Sequence, residues 1–404
     1  MKKKKAPLVR RMKEFVKTSV VWGPLDHNLF FTIIFLNVYG IIMVYSASYN
    51  NSITKNYSYF MNNQLKNVIF GFVIMIVASY VNYHRIVRLG WGWFWLLAAV
   101  AIIAALKTPL AHSELGATRW IKLGPVSFQA AEPIKAAIII FFAYYVSYWG
   151  LNRWYNQLLA CLLAIALLGF LFFFSNNLST VIVLFCICAV IILSSVKKPD
   201  LYWYFLLGLA LIIIAAIFVT VYLLMHQGAE NFRFVRIRAW LHPEEYAADE
   251  GLQAMQARYA IGAGGFWGKG LGQSLIKFKL SYSYNDFILA IICEELGVFG
   301  VIVMMTLFGY LLYRIYKIAQ NAWDIEGKVL AIGVFTQIAL QLLINVMVVT
   351  SVIPTTGVTL PFFSAGGTSV VFLLAELGMV LNVDKYAKER RFFEEAERHV
   401  AQME

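Results

Sequence analysis

The sequence predicts an all-α polytopic membrane protein of about ten transmembrane helices, with a large extracytoplasmic loop between the seventh and eighth. Three observations carry that expectation. Of the 404 residues 60% are hydrophobic and 14% are charged, where a soluble domain is about half apolar and about a quarter charged. Apolar runs near the roughly 20 residues needed to cross a bilayer recur along the chain. Lys and Arg gather in the short connections between alternate runs, as cytoplasmic loops require. A soluble enzyme with a single anchor is excluded by the mean hydropathy of +0.69.

The runs in order are 29–46, 68–82, 91–106, 133–149, 157–174, 178–195, 201–225, 286–313, 328–350 and 368–383. Residues 1–28 form a basic N-terminus whose Lys2 to Lys5 resemble the start of a signal peptide. With no small-residue cleavage site before the first run, a retained first helix is expected. Residues 29–383 make the membrane domain, and 384–404 a charged tail expected to form a helix of about five turns. Arg85, Arg88, Arg153, Lys197, Arg314, Lys317 and the tail mark one set of connections as cytoplasmic. Ten spans put both termini on that side.

Three long segments then lie outside: 106–132, 226–285 and 351–367. The middle one exceeds an ordinary connection, and such loops are functional or disordered. Its Trp240, Tyr246, Tyr259 and Trp267 point to folding against the spans. These segments hold Arg119, Lys122, Arg233, Arg236, Arg238, Arg258, Lys269, Lys277 and Lys279. Cations there oppose the insertion rule, so they call for an anionic ligand, and Arg suits phosphate. Lipid headgroups are the bland alternative. The net charge of +12 suits an anionic membrane rather than nucleic acid, for which no basic-aromatic module is visible. The four cysteines lie in apolar runs, with neither disulfide nor metal-ligand spacing.

Polar motifs punctuate this frame. Asn37, Tyr45, Ser46 and Ser48 in the first run read as helix–helix contacts. Glu132 and Lys135 are three apart on one helix face, either as a structural ion pair or in substrate positioning. Ser175-Asn176-Asn177 reads as a tight turn between two runs. The glycine run from Gly262 to Gly272 lacks a preceding strand, which excludes a dinucleotide fingerprint and leaves an anion cradle or plain turns. The segment from Pro354 to Ser369 is too rich in Pro and Gly for a helix and must line a cavity or be covered by protein. Asp286, Glu294 and Glu295 stand at the mouth of the eighth run, where ionisable groups are functional candidates. Gly297, Gly300 and Gly309 offer a small-residue face for a partner helix or for the ninth span.

Together these motifs resemble the shape, elongation, division and sporulation (SEDS) family of bacterial membrane proteins, FtsW, RodA and SpoVE. The family shows Gly-Ala-x-Arg-Trp-Ile and Phe-Gln-Pro-Ser-Glu, matched by Gly116 to Ile121 and by Phe128-Gln129-Ala130-Ala131-Glu132. Its Gly-x-Gly-x-Gly-Ser loop is matched from Gly268 to Ser274. Its His-Thr-Asp-Phe-Ile and Glu-Glu-Leu-Gly are matched by Tyr284-Asn285-Asp286-Phe287-Ile288 and Glu294 to Gly297. Its final Pro-x-x-Gly-x-x-Leu-Pro-x-x-Ser-Tyr-Gly-Gly-x-Ser is matched from Pro354 to Ser369, with Ala365 in the Tyr place. The departures are Ala130-Ala131, Tyr284-Asn285, Ala365 and the Asn176-Asn177 turn.

The resemblance implies a peptidoglycan glycosyltransferase, FtsW-like, of the bacterial cytoplasmic membrane. It would polymerise lipid II outside that membrane in division or elongation, beside a class B penicillin-binding protein and other divisome or elongasome proteins. Asp286 is the expected general base. Arg119, Lys122, Glu132, Lys135, Arg236, Lys269, Lys277, Ser364, Gly366 and Gly367 are the expected substrate-binding residues. No cofactor is required by this reading, and a divalent cation, Mg or Mn, is the one left open. A lipid-precursor flippase and a non-catalytic scaffold of the wall machinery are the rival readings.

Overall fold

The structure is a computed structural model that describes residues 20–48, 59–114, 117–123, 126–175, 177–196, 232–246, 251–278, 284–365 and 367–403. In chain order its helices are α1 His27–Ser48, α2 Tyr59–Tyr80, α3 Tyr83–Val87, α4 Trp93–Ala105, α5 Ala131–Trp149, α6 Trp154–Ser175 and α7 Leu178–Ser195. After these come α8 Phe232–Leu241, α9 Leu252–Gly264, α10 Ile288–Gln320, α11 Ile325–Val349 and α12 Thr368–Met403. Six of the described helices are long and apolar enough to cross a membrane, which makes this a multi-pass membrane protein. The expected seventh run, 201–225, lies outside the described residues.

Some of the expected spans run longer as helices, whereas the third, α4, is shorter than expected. The second begins at Tyr59 rather than at 68, and the last continues unbroken from Thr368 through the charged tail. Its exposed end from Arg390 carries the charges, which need water rather than packing.

The all-α expectation needs one correction. The segment after α4 folds into an antiparallel sheet, β1 Ala111–Glu114, β2 Ala117–Leu123 and β3 Val126–Gln129, in the order β1-β2-β3. Trp120 pairs with Gln129 and Ile121 with Phe128. Trp, Ile, Val and Phe favour a pleated surface, and buried Ile121 alternates with exposed Lys122. The expected Gly124-Pro125 turn falls between β2 and β3 but outside the described residues.

The packing joins α2 to α12, α10 to both α11 and α1, and α11 to α5 and α7. Buried Leu, Ile, Phe and Val from all these helices form one core. Close approach rests on single glycines. A Cβ on Gly40 of α1 would stand 2.2 Å from the Phe362 carbonyl oxygen, so only glycine lets the 360–364 turn lie against α1. Gly262 and Gly264, expected in the glycine loop, instead end α9, and a Cβ on Gly264 would stand 1.8 Å from the Cys293 carbonyl oxygen.

The bundle has two chemically distinct ends. At one, Arg314 of α10 donates to Asp26 just before α1, and Arg88 bonds Glu326 at 2.9 Å. There His84 meets Asp324 at 2.6 Å and Tyr83 donates to the same oxygen at 2.7 Å. Burial alone would raise the Asp324 carboxyl. Its hydrogen bonds to His84, the Gly327 N–H and Tyr83 outweigh that and hold it below the usual carboxylate range. The other end, reached along α1 about 30 Å away at 1.5 Å per residue, gathers Ser46, the glycine-rich loop, Asp286 and the 351–365 segment.

Candidate functional site

The site is built on a break in α10. Gly297 has φ +66°, a left-handed conformation, inside a helix of 33 residues. A break at membrane depth frees backbone groups that must be satisfied by protein. The glycine-rich loop does so. The Lys269 and Gly270 N–H groups donate to the Glu294 and Glu295 carbonyls, both at 2.9 Å. In return the Val298 and Phe299 N–H groups donate to the Gly265 and Phe266 carbonyls, both at 3.1 Å. Of the two readings left open for this loop, anion cradle or turns, these bonds spend the Lys269 and Gly270 amides on the protein itself.

The side chains at the break follow the same logic. Glu294 is fully buried and accepts from Lys269 Nζ at 2.8 Å, from the Leu275 and Ile276 N–H groups at 3.2 and 3.3 Å, and from the Ser274 hydroxyl. Glu295, also fully buried, accepts from Ser46 Oγ, the Ser274 N–H at 3.3 Å and Lys277 Nζ at 3.4 Å. Lys277 further donates to the carbonyls of Gly272 and Ser46, at 2.8 and 3.2 Å. Thus Lys269 and Lys277, expected to bind substrate, hold the loop on α10. Glu294 and Glu295, expected in the working site, are the acceptors of that anchor. A charge at this depth is retained because it is paired and hydrogen-bonded.

The glycine face expected for a partner is corrected too. Gly297 lies against the loop backbone, and a Cβ on Gly300 would meet Leu296 at 2.3 Å and the Tyr39 hydroxyl at 3.1 Å. Both glycines serve internal packing, against α1 and the loop rather than α11. Gly309 has nothing within 4 Å of a Cβ position and faces outward.

Asp286 lies half-buried in the turn of residues 284–287 that leads into α10. Three consecutive carbonyls of this turn are held from one side. The Ala365 N–H donates to the Tyr284 carbonyl at 2.9 Å, Ser364 Oγ to the Asn285 carbonyl at 2.8 Å, and Asn345 Nδ2 to the Asp286 carbonyl at 2.9 Å. Ser364, expected to bind substrate, is buried, and its hydroxyl also accepts from the Leu360 N–H at 2.8 Å. The holding segment is itself strained: Ser351 and Phe362 have φ +59° and +66°, rare for residues with side chains. Gly367 has φ +51°, and Gly366 lies outside the described residues. Sequence reading missed Asn345. Its signal was the polar repeat Gln337, Gln341, Asn345 at four-residue spacing, one face of an otherwise apolar helix.

Two motif departures meet here. Tyr284 packs its ring on Phe60, 4.3 Å between centroids, while its backbone bonds Ala365. Where the family resemblance places His and Tyr, this chain has Tyr284 and Ala365, joined here through their backbones.

Beside this turn is a small open cavity of about 30 Å³ lined by Gln129, Glu132, Lys135, Asn177, Ser179, Gln341 and Gly357 to Thr359. Glu132 and Lys135 form a buried ion pair at 2.9 Å. A smaller, more apolar hollow of about 10 Å³ shares Gln129, Ala131, Asn177 and Thr180 with it. Asn177 caps α7 through a 3.3 Å bond from the Thr180 N–H, in the turn expected there. Lys122 is exposed on β2, which also carries Arg119. Arg236 is half-buried on α8, whose Trp240 donates to the Ser351 carbonyl at 2.9 Å and so ties α8 to the same segment. Among the described residues no group of three His, Cys, Asp or Glu side chains could hold a metal ion.

This arrangement has relatives. Over residues 26–389 the chain matches the family described as cell cycle protein, that of FtsW, RodA and SpoVE. It is 31% identical over 382 residues to a probable peptidoglycan glycosyltransferase FtsW of Trichlorobacter lovleyi, which spans 92% of this chain and 96% of the relative. It is 33% identical over 370 residues to stage V sporulation protein E of Bacillus subtilis, 88% and 96% of the two chains. Among solved structures, a chain of a peptidoglycan synthase complex, studied for structural coordination of polymerization and crosslinking, superposes with a TM-score of 0.75 at 22% identity, over 91% of this chain and 99% of that one. The rod shape determining protein RodA of Thermus thermophilus superposes with 0.64 at 22% identity, over 90% and 97%. At that identity the solved structures speak for the fold.

Proposed function

The chain belongs to the FtsW/RodA/SpoVE family, and from that premise we propose that this glycosyltransferase polymerises lipid II into glycan strands on the outer face of the bacterial cytoplasmic membrane, in division or elongation. Asp286 is the general base. It takes the proton from the attacking sugar hydroxyl as the new glycosidic bond forms at the anomeric carbon. The bond from that carbon to the diphosphate oxygen breaks, and the polyprenyl diphosphate leaves with the electron pair. The outer cations, Lys122 and Arg119 on β2 and Arg236 on α8, offset the charge on the leaving group. A divalent cation, Mg or Mn, would supply further positive charge to the leaving diphosphate, and among the described residues no group of three His, Cys, Asp or Glu would hold it.

The observation that carries this reading is the seat of Asp286, which is tied by Asn345 to a polar cavity at the end of the bundle opposite the Asp26–Arg314 pair. In this reading both termini are cytoplasmic and a class B penicillin-binding protein crosslinks the product. Purified protein with its partner and lipid II is expected to make polymer, and Asp286→Asn to make none while remaining folded. Polymer from Asp286→Asn at a rate near the parent's removes the base role.

A lipid-precursor flippase is the second reading, favoured by the buried polar set of Glu132, Lys135, Gln337 and Glu376 inside the bundle. Polymerisation in detergent, where there is no membrane to cross, decides between them.

A further inference from the structure

We propose that Asn345 is a positioning residue that fixes Asp286 relative to the cavity wall, an inference that rests on the reading of Asp286 as base. Asn345 is fully buried near the end of α11. Its Nδ2 donates one proton to the Asp286 carbonyl and the other to the Val358 carbonyl, both at 2.9 Å. Both neighbours are acceptors, which places the amide nitrogen and not the oxygen between them. Val358 belongs to the stretch from Gly357 to Thr359 that lines the cavity opposite Glu132 and Lys135. One side chain therefore joins the turn that carries the base to the wall of the neighbouring cavity.

The residue type fits that task. A hydroxyl has a single proton to give, and a lysine would bring a charge into an apolar span. The Asn345 Oδ1 is buried without a hydrogen-bond partner. A buried amide with an unmet acceptor is unfavourable in a span, so what retains it here is its pair of donated bonds. The same face of α11 presents Gln341 to the cavity one turn earlier. Ser364 and Ala365 hold the two preceding carbonyls, and among the described residues the bond to the Val358 carbonyl in the cavity wall is made by Asn345.

A base displaced by about 1 Å loses on the order of 100-fold in rate while the substrate still binds. The test is lipid II polymerisation by the full chain with its partner, resolved into kcat and KM, for Asn345→Leu, which has nearly the same size and no donors. Expected is a kcat lower by about 100-fold with KM within about twofold of the parent. If Asn345→Leu is not recovered folded, the isosteric Asn345→Asp, in which an acceptor faces both carbonyls, is read in its place with the same expected split. A kcat equal to the parent's, or a loss carried by KM alone, overturns the inference. Asp286→Asn, assayed in parallel, separates the two claims. If Asp286→Asn is inactive and Asn345→Leu is fully active, only the positioning role falls. If Asp286→Asn is active, the base reading falls and takes the positioning role with it.

Discussion

Removing the Lys277 ammonium is expected to destabilise the protein through Glu295, not through a lost ligand contact. The Lys277 side chain is 1% exposed and that of Glu295 is 0% exposed. Lys277→Met leaves a carboxylate buried at membrane depth, met among the described residues by Ser46 Oγ and the Ser274 N–H. Breaking a buried pair by deleting one partner costs about 3–5 kcal/mol. Glu295→Gln leaves the ammonium on the Gly272 and Ser46 carbonyls and is expected to cost a similar amount. Independent effects would sum to about 6–10 kcal/mol, but the double variant has no uncompensated charge and is expected to lose no more than either single. Thermal unfolding midpoints of the detergent-solubilised parent, singles and double provide the cycle. Additive losses would refute the coupling. A Lys277→Met protein with the parent's midpoint and a raised KM for lipid II would return Lys277 to the substrate.

Gly297→Ala is expected to lower the midpoint and expose the 265–278 loop to protease, since its φ/ψ of +66°/−164° costs a side chain about 1–3 kcal/mol before the clash with Gly268 N at 2.4 Å. Gly300→Leu is expected to lower the midpoint by pushing against Tyr39. Gly309→Leu, with open space around it, is expected to leave the midpoint unchanged, so co-purification of Gly309→Leu with the penicillin-binding protein reports on a partner face. Asp324 has a depressed carboxyl pKa, so its contribution is present above the unfolded value of about 3.9 and is lost as pH falls through the lower folded value. The parent's midpoint is therefore expected to fall more steeply than that of Asp324→Asn between about pH 5 and pH 2.

The apolar runs were legible by themselves because a span must satisfy its backbone internally and face lipid, so length and composition suffice to mark it. Asp286 stood out as a candidate for a related reason: a carboxylate at the mouth of a span is costly and needs a use. The Glu132–Lys135 pair followed from helical spacing alone. What sequence spacing could not assign was partnership across the chain. Lys269 and Lys277 read as cations awaiting an anion, and the anions proved to be Glu294 and Glu295, on the far side of residues 279–283. Gly297 and Gly300 read as a face for a partner helix or for the ninth span, and the fold lays the loop and Tyr39 against them. Asn345 carried only a weak periodic signal, because a hydrogen bond to the Asp286 backbone 59 residues away depends on how α11 and the 284–287 turn meet. Local rules determine which groups are costly to bury. Only tertiary packing decides which neighbours meet that cost.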